Sequence, residues 1–200
     1  MKLLFFTEAR LTQTAEGKFY SADQSFSYQM FKRYLNPFDT VLVLARSAMI
    51  AGSETVTEST RVDDIGVTVL PLPYYVGPFQ YLAQRRTLLK TLHHYIDSHL
   101  DAAFLCRVPG AIGTAAGRYL WKRKKAYGVE VVGDPLDVFA PGSFSHPLRA
   151  LFRYKGGRDL KTVVQRASAA LYVSKETLQA RYPAASNAFN TYASDVMLPP

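Results

Sequence analysis

The sequence has few of the residues that stabilise small secreted folds. It contains a single cysteine among 200 residues, so no disulfide can form within the chain. Cys106 lies in the apolar run of residues 102–106, where an unpaired cysteine is typical of a small buried hydrophobic side chain and not of a nucleophile. This cysteine usage favours a reducing compartment.

Motifs that bind metals or activate nucleophiles are also missing. The sequence has no Cys-x-x-Cys pair, no His-Glu-x-x-His and no Asp-x-Asp pair. His93, His94 and His99 lie on one predicted helix but do not share a face, and His146 is isolated. The phosphate loop of P-loop ATPases and the Gly-x-Ser-x-Gly turn of α/β-hydrolases are absent too. We therefore predict no metal and no cofactor.

Long hydrophobic runs are lacking. No apolar segment approaches the roughly 20 residues that cross a bilayer, and Lys2 precedes only four apolar residues, unlike a secretory signal. We therefore expect a cytoplasmic protein. The net charge of +8 and the pI of about 9.6 favour acidic partners, namely phosphorylated ligands, anionic lipid surfaces or nucleic acid.

The sequence does contain alternating strand and helix patterns, and 48% hydrophobic residues suffice for one core over residues 1–200. Apolar runs predict strands at residues 3–6, 40–45, 67–72, 102–106, 129–132 and 169–173. Helices are predicted near residues 23–35, 79–100, 110–127 and 147–167, with a short one after Ser174. Six strands separated by helices predict an α/β fold with a doubly wound, mostly parallel, Rossmann-like sheet.

Three of the helix predictions carry local detail. A capping box at residues 21–24 is expected to start the first helix. The helix at 79–100 is expected to bury Leu82, Leu89, Leu92 and Ile96 on one face. Gly156 and Gly157 are expected to interrupt the helix at 147–167.

Ligands of open α/β sheets bind outside the carboxyl ends of the strands, so the residues that follow the strands are the candidates for a site. Gly17 stands in the long loop expected after Phe6, where it would let the backbone approach a ligand or would simply form a turn. Arg107 would meet a phosphate or carboxylate, or form a salt bridge at the rim. Asp134 would contact substrate or cap the following turn.

The small-residue segment 110–117 follows the fourth predicted strand. It is not a Gly-x-Gly-x-x-Gly fingerprint, and it does not follow the first strand. Small residues here are expected to let the helix lie close to the sheet. The backbone amides near Gly110 would also suit an anion.

The basic residues form two regions. The first is the run 118–125, which includes Tyr119 and Trp121, and the second consists of Arg149, Arg153, Lys155, Arg158, Lys161 and Arg166. Either an anionic membrane surface contacts these residues, or they form ordinary solvated helix faces. No nucleic-acid recognition module is present, so nucleic acid is not expected as a partner.

The order of these features resembles the N-terminal half of a group 1 (family 4-like) retaining glycosyltransferase, which has two facing Rossmann-like domains. The resemblance depends on the strand at residues 2–6, the glycine loop with Gly17, an aromatic-rich first helix, and residues 131–134. Its most specific part is the alanine-rich strand element at residues 167–175. The motifs span nearly the whole chain, although each is loose.

This resemblance implies a nucleotide-sugar donor and a saccharide or lipid-linked acceptor, held between two domains. The N-terminal domain would bind the acceptor, and its glycine loop would approach the donor phosphates. The strand-end positions and this resemblance together make Gly17, Lys18, Arg107, Gly110 and Lys175 the candidates for binding donor phosphate or acceptor, and Asp134 the catalytic candidate. Many family members have a histidine where this sequence has Asp134.

On this interpretation the chain is one N-terminal, acceptor-binding domain, and the C-terminal, donor-binding domain is absent. The fragment is expected to be inactive alone, and its parent enzyme to be cytoplasmic, or peripheral at the inner membrane face, and to act in polysaccharide or glycolipid synthesis. Two alternatives remain open. The chain could be a self-contained Rossmann-like module for a nucleotide or phosphorylated ligand, or a noncatalytic interaction domain.

Overall fold

The computed structural model describes residues 1–50, 56–140, 142 and 148–193. His146 lies outside the described residues. Within them, the strands are β1 Lys2–Gln13, β2 Phe19–Ser21, β3 Thr40–Met49, β4 Val67–Pro73, β5 Ala103–Val108, β6 Gly128–Val131, β7 Ala169–Tyr172 and β8 Phe189–Tyr192. The α-helices are α1 Tyr28–Lys32, α2 Gly77–Asp97, α3 Ala111–Lys122, α4 Pro135–Val138, α5 Arg149–Gln165 and α6 Thr177–Arg181. Short 3-10 turns occur at Gln24–Phe26, Arg33–Leu35 and Glu58–Thr60.

The chain divides into two compact units, residues 1–104 and the described residues from 105 on. In the first unit, β1, β3 and β4 are parallel in the order β4-β3-β1, and β2 pairs antiparallel with β1. The apolar side chains at residues 3–6 of β1 and 41–45 of β3 are buried on both faces, as these continuous apolar runs predict, and Phe5 lies opposite Val43. Helix α2 packs on β4 through Leu88, Leu92 and Ile96.

In the second unit, β5, β6, β7 and β8 are parallel in that order. The glycines of α3 allow close helix packing. A Cβ on Gly113 would lie 2.2 Å from the carbonyl oxygen of Arg107, and one on Gly117 would lie 2.8 Å from Cγ1 of Val163. This confirms that the small residues at 110–117 let the helix lie close to its neighbours.

The predicted fold class is confirmed: the chain is α/β with mostly parallel strands flanked by helices, and all six predicted strands are present. The sequence patterns did not predict β2 or β8. The loop expected after Phe6 is wrong in its first half, because β1 continues to Gln13 and turns back into β2 as a hairpin. The strand continues across a register shift between Phe6 and Arg10, and its apolar run ends at Phe6 because Thr7 and Glu8 follow.

Three local predictions are also wrong. The capping box at residues 21–24 does not form, because Asp23 caps the first turn by accepting the Ser25 N–H over 2.7 Å. Leu82 is 65% exposed, whereas the buried face of α2 runs through Leu88. Gly156 and Gly157 do not interrupt α5. A Cβ on Gly156 would lie 2.8 Å from Cβ of Pro135, so this glycine allows α5 to pack on α4.

Candidate functional site

Four predicted site residues lie at one edge of the second unit. Arg107 is the second-to-last residue of β5, and Gly110 follows that strand. Asp134 follows β6, and Lys175 follows β7. Since these strands are parallel neighbours, their carboxyl ends meet at the same edge of the sheet. Gly17 and Lys18 belong to the first unit.

Asp134 is the most strongly held residue at this edge. Its side chain is 4% exposed and caps α4 by accepting the Leu136 N–H over 2.8 Å. Oδ1 also accepts the hydroxyl of Tyr182 over 2.5 Å, and Oδ2 forms an ion pair with Arg181. Arg181 bonds Asp137 too, at 3.2 Å. The carboxylate therefore connects the start of α4 to the end of α6.

These contacts keep Asp134 ionised. Burial on its own would raise the pKa of the carboxyl, but the hydrogen bonds from Tyr182, Arg181 and Leu136 together outweigh burial and lower the pKa below its ordinary value. Burial and the neighbouring carboxylate raise the pKa of Tyr182, so its hydroxyl stays protonated and donates. The prediction that Asp134 caps the following turn is confirmed.

Arg107 forms an ion pair within the sheet. It lies opposite Glu130 in the register of β5 and β6, and its Nη1 is 3.0 Å from Oε2 of Glu130. The Glu130 side chain is 3% exposed and that of Arg107 is 14% exposed. The salt-bridge interpretation of Arg107 is thus what the structure shows, and this pair fixes the direction of the guanidinium at the sheet edge.

Gly110 and Lys175 are the remaining polar features of this edge. Gly110 is the N-cap of α3, and as a glycine it has no side chain of its own that could accept a helix N–H. Lys175 lies with Nζ 5.9 Å from the ring centre of Tyr192 on β8. Just before it, Oγ of Ser174 accepts the Leu178 N–H over 3.1 Å, although the N-cap of α6 is Glu176 and not Ser174.

Gly17 and Lys18 are at the tip of the β1–β2 hairpin. Thr14 N–H donates to the carbonyl of Lys18 over 2.9 Å, and Gly17 N–H donates to the carbonyl of Thr14 over 3.0 Å. Gly17 has φ +80 and open space around the position of a Cβ. Glycine adopts this positive φ without strain, the turn expected at Gly17 is present, and both residues are exposed there.

The first unit also contains a strand-end cluster that the sequence patterns did not predict. Arg46, beyond the apolar part of β3, donates to the carbonyl oxygens of Glu8 and Tyr75, with distances of 2.8 Å to each. The Tyr75 hydroxyl donates to Oε2 of Glu8 over 2.7 Å, and the guanidinium lies 4.4 Å from the tyrosine ring centre. The only signal in the sequence that could have indicated this cluster is position, because Glu8, Arg46 and Tyr75 each follow an apolar strand segment.

The predicted basic regions are partly engaged within the second unit. Arg118 and Lys155 both bond Asp159, at 2.5 Å and 2.6 Å. Trp121 is 48% exposed, and the guanidinium of Arg166 lies 5.1 Å from its ring centre. Their contact with a membrane stays a prediction.

Within the ranges given above, histidine, cysteine, aspartate and glutamate do not gather in groups of three or more that would suit a metal ion. None of the helices described combines the length and hydropathy needed to span a bilayer.

No protein-family model matches the sequence. The chain is 28% identical over 185 residues to Protein CapJ of Staphylococcus aureus, and this alignment covers 92% of the chain and 44% of CapJ. The chain therefore spans less than half the length of this curated relative.

Solved structures of glycosyltransferases have a similar fold. Sucrose-phosphate synthase from Thermosynechococcus elongatus matches with a TM-score of 0.55 and 9% identity, over 97% of this chain and 48% of that one. A UDP-glucosyltransferase from Polygonum tinctorium matches with a TM-score of 0.50 and 10% identity, over 95% of this chain and 51% of that one. The glycosyltransferase-like fold expected from the sequence is confirmed.

Proposed function

We propose that the chain is the acceptor-binding half of a glycosyltransferase, which transfers a sugar from a nucleotide-sugar donor to a saccharide or lipid-linked acceptor. The observation that carries this proposal is the extent of the fold similarity. Nearly the whole chain aligns with about half of each of two sugar-transferring enzymes. A second Rossmann-like domain in the same protein would supply the donor-binding half.

The carboxyl edge of β5, β6 and β7 is the proposed substrate site. The positive end of the α3 dipole at Gly110 and the positive charge of Lys175 both suit a phosphate or a polar acceptor. Arg107 lies at the same edge with its guanidinium fixed by Glu130. On the other unit, the hairpin tip with Gly17 and Lys18 is proposed to approach the donor phosphates.

In this proposal Asp134 acts as a fixed carboxylate beside the transferred sugar. Its lowered pKa and its three hydrogen-bonding neighbours make it unsuited to donate a proton at neutral pH. It would orient substrate and hold the strand end in place. The rate would then come from positioning the acceptor hydroxyl and stabilising the leaving diphosphate.

A comparison of this chain with its full-length parent protein tests the assignment. Thermal unfolding of both proteins is measured with a panel of nucleotide sugars, and donor hydrolysis and transfer are followed by nucleotide release. We expect nucleotide sugars to stabilise and to be consumed by the full-length protein, while the chain alone shows neither effect.

The alternatives give different results. Stabilisation of the chain alone by a dinucleotide, without a response of the full-length protein to nucleotide sugars, would identify a self-contained nucleotide-binding module. A chain that responds to no small ligand but retains a stable protein partner in pull-down would identify an interaction domain. Either result would overturn the proposed function.

A further inference from the structure

The start of α2 carries large apolar side chains that face solvent. Val76 is 47% exposed, Phe79 77% and Leu82 65%, and Tyr74 just before them is 36% exposed. Scattered exposed apolar residues are ordinary, but these follow one another along a single helix start. With the basic residues that continue the same helix face, they form a surface that we name the α2 patch: Val76, Phe79, Leu82, Arg86 and Lys90.

Helix geometry places these side chains on one face. Phe79, Leu82, Arg86 and Lys90 are spaced by three or four residues, which aligns neighbours along one side of a helix. The buried side of α2 is formed by Leu88, Leu92 and Ile96, and it packs toward β4. Arg86 and Lys90 are exposed. The α2 patch thus has an apolar end and a basic end, both turned away from the core.

The chain segment that carries the patch has charges of one sign, and the nearby carboxylate of Glu8 is paired with Arg46. Between Asp64 and Asp97 the sequence contains no aspartate or glutamate, while it contains Arg85, Arg86 and Lys90. The whole chain carries a net charge of +8. A partner that fits this surface therefore presents negative charge beside apolar material.

Hydrogen bonds fix the backbone that carries the apolar end of the patch. Between the exposed Tyr74 and Val76, Tyr75 is buried and bonded to Glu8 and Arg46. The side chain of Gln80 accepts the Val76 N–H over 2.7 Å, which fixes the first turn of α2. The exposed side chains are presented from an ordered helix start, so little conformational freedom is lost on binding.

We propose that the α2 patch docks the protein on an anionic lipid bilayer. Phe79, Leu82 and Val76 enter the headgroup layer, while Arg86 and Lys90 lie against the lipid phosphates. Phe79 is 77% exposed and Leu82 65% exposed, and a deformable lipid surface can close around such side chains, whereas a folded partner would need a complementary pocket. This docking is independent of the proposed glycosyl transfer, so either proposal can fail without the other.

Co-sedimentation of the chain with vesicles measures the docking. We expect binding to phosphatidylcholine vesicles that contain phosphatidylglycerol, weaker binding to phosphatidylcholine alone, and loss of binding at high salt. Arg86→Gln with Lys90→Gln should weaken binding by about thirtyfold, given the usual contribution of a basic side chain at an anionic surface. Phe79→Ser with Leu82→Ser should weaken it by about tenfold or more, since buried apolar area is lost.

Two control variants match these changes elsewhere in the same unit. Ile65→Ser removes an apolar side chain that is 84% exposed, outside the patch. Lys2→Gln with Lys32→Gln removes equal charge outside the patch, at the first residue of β1 and at the last residue of α1. Both controls should bind vesicles like the parent chain, and circular dichroism should show all variants folded.

A fluorescence experiment tests the depth of insertion and the rival surface together. Trp121 is the only tryptophan, and it stands in the basic run 118–125. In the parent chain its emission should be little quenched by brominated lipids. A Trp121→Phe chain that carries Phe79→Trp should be strongly quenched and blue-shifted by the same anionic vesicles.

Three outcomes would overturn the proposal. The first is the absence of binding to anionic vesicles. The second is quenching of Trp121 together with loss of binding in Lys122→Gln, Lys125→Gln, which would assign docking to the basic run. The third is concentration-dependent dimerisation that the Phe79 and Leu82 substitutions abolish, with no vesicle binding, which would assign the patch to a second copy of the chain.

Discussion

The hydroxyl of Tyr182 donates a hydrogen bond to Oδ1 of Asp134 over 2.5 Å, and the adjacent Arg181 forms an ion pair with Oδ2 of the same carboxylate. The buried carboxylate of Asp134 therefore bonds two consecutive residues at the end of α6, and the same side chain caps the start of α4. The end of β6 and the segment after β7 are joined at the edge where the proposed substrate site lies.

Asp134 should contribute strongly to stability. We expect Asp134→Ala to lower the free energy of unfolding by about 2 to 4 kcal/mol, because it leaves the Tyr182 hydroxyl and the Leu136 N–H without their acceptor. The matched control is Asp137→Asn, since Asp137 pairs with the same Arg181 but is 69% exposed, and it should cost at most about 1 kcal/mol. Urea denaturation measures both, and equal losses would contradict this role.

The stability of the chain should fall in acid partly through Asp134. Its folded pKa lies below the ordinary value of 3.8, so the folded state binds the proton less readily than the unfolded state. The stabilisation is complete above the unfolded pKa and disappears as pH falls through the folded pKa. Urea denaturation from about pH 6 to about pH 2 should show a shallower acid decline for Asp134→Asn than for the parent chain. Parallel curves below about pH 4 would argue against it.

The Arg107–Glu130 pair should behave as a buried ion pair. Arg107→Met leaves the carboxylate of Glu130, which is 3% exposed, without this partner, and we expect a loss of about 3 kcal/mol or more. Arg107→Met with Glu130→Met should recover most of that loss, because apolar side chains of similar volume replace the pair. A double-mutant cycle by chemical denaturation measures the coupling. A double variant as unstable as the sum of the single ones would contradict the pairing.

Gly113 should be the least replaceable glycine of α3. In Gly113→Ala the new Cβ would meet the backbone oxygen of Arg107 at 2.2 Å, and backbone cannot rotate aside, so we expect a loss of at least about 2 kcal/mol. Gly117→Ala meets the side chain of Val163, which is able to adjust, and should cost less. Thermal unfolding of both variants ranks the two losses of stability. A larger loss for Gly117→Ala than for Gly113→Ala would contradict the close packing of α3 on β5.

The sequence patterns predicted the buried strands well and the exposed ones poorly. Residues 3–6 and 40–45 are continuous apolar runs, and both lie in strands covered on two faces. The second half of β1 was missed because its polar residues break the run, although the buried residues Ala9 and Leu11 alternate with less buried neighbours. Strand β8 was missed because its residues are largely exposed and carry no apolar pattern.

The position of the candidate site could be predicted from the sequence, but the hydrogen-bond partners of its residues could not. Strand order places Asp134, Arg107 and Lys175 at the strand ends, and the structure has them there. Periodicity does not state which distant side chain meets them, so Tyr182, which is 48 positions from Asp134, could not be inferred. The Glu8–Tyr75 hydrogen bond spans 67 positions and was missed for the same reason.

The most direct test of the proposed function is mass spectrometry of acceptors after incubation of the full-length parent protein with nucleotide sugars and a membrane or saccharide extract. The proposal predicts that one nucleotide sugar is consumed, its nucleotide is released, and an acceptor gains the mass of one sugar residue. A folded full-length protein that consumes none of the nucleotide sugars and leaves every acceptor mass unchanged would contradict it.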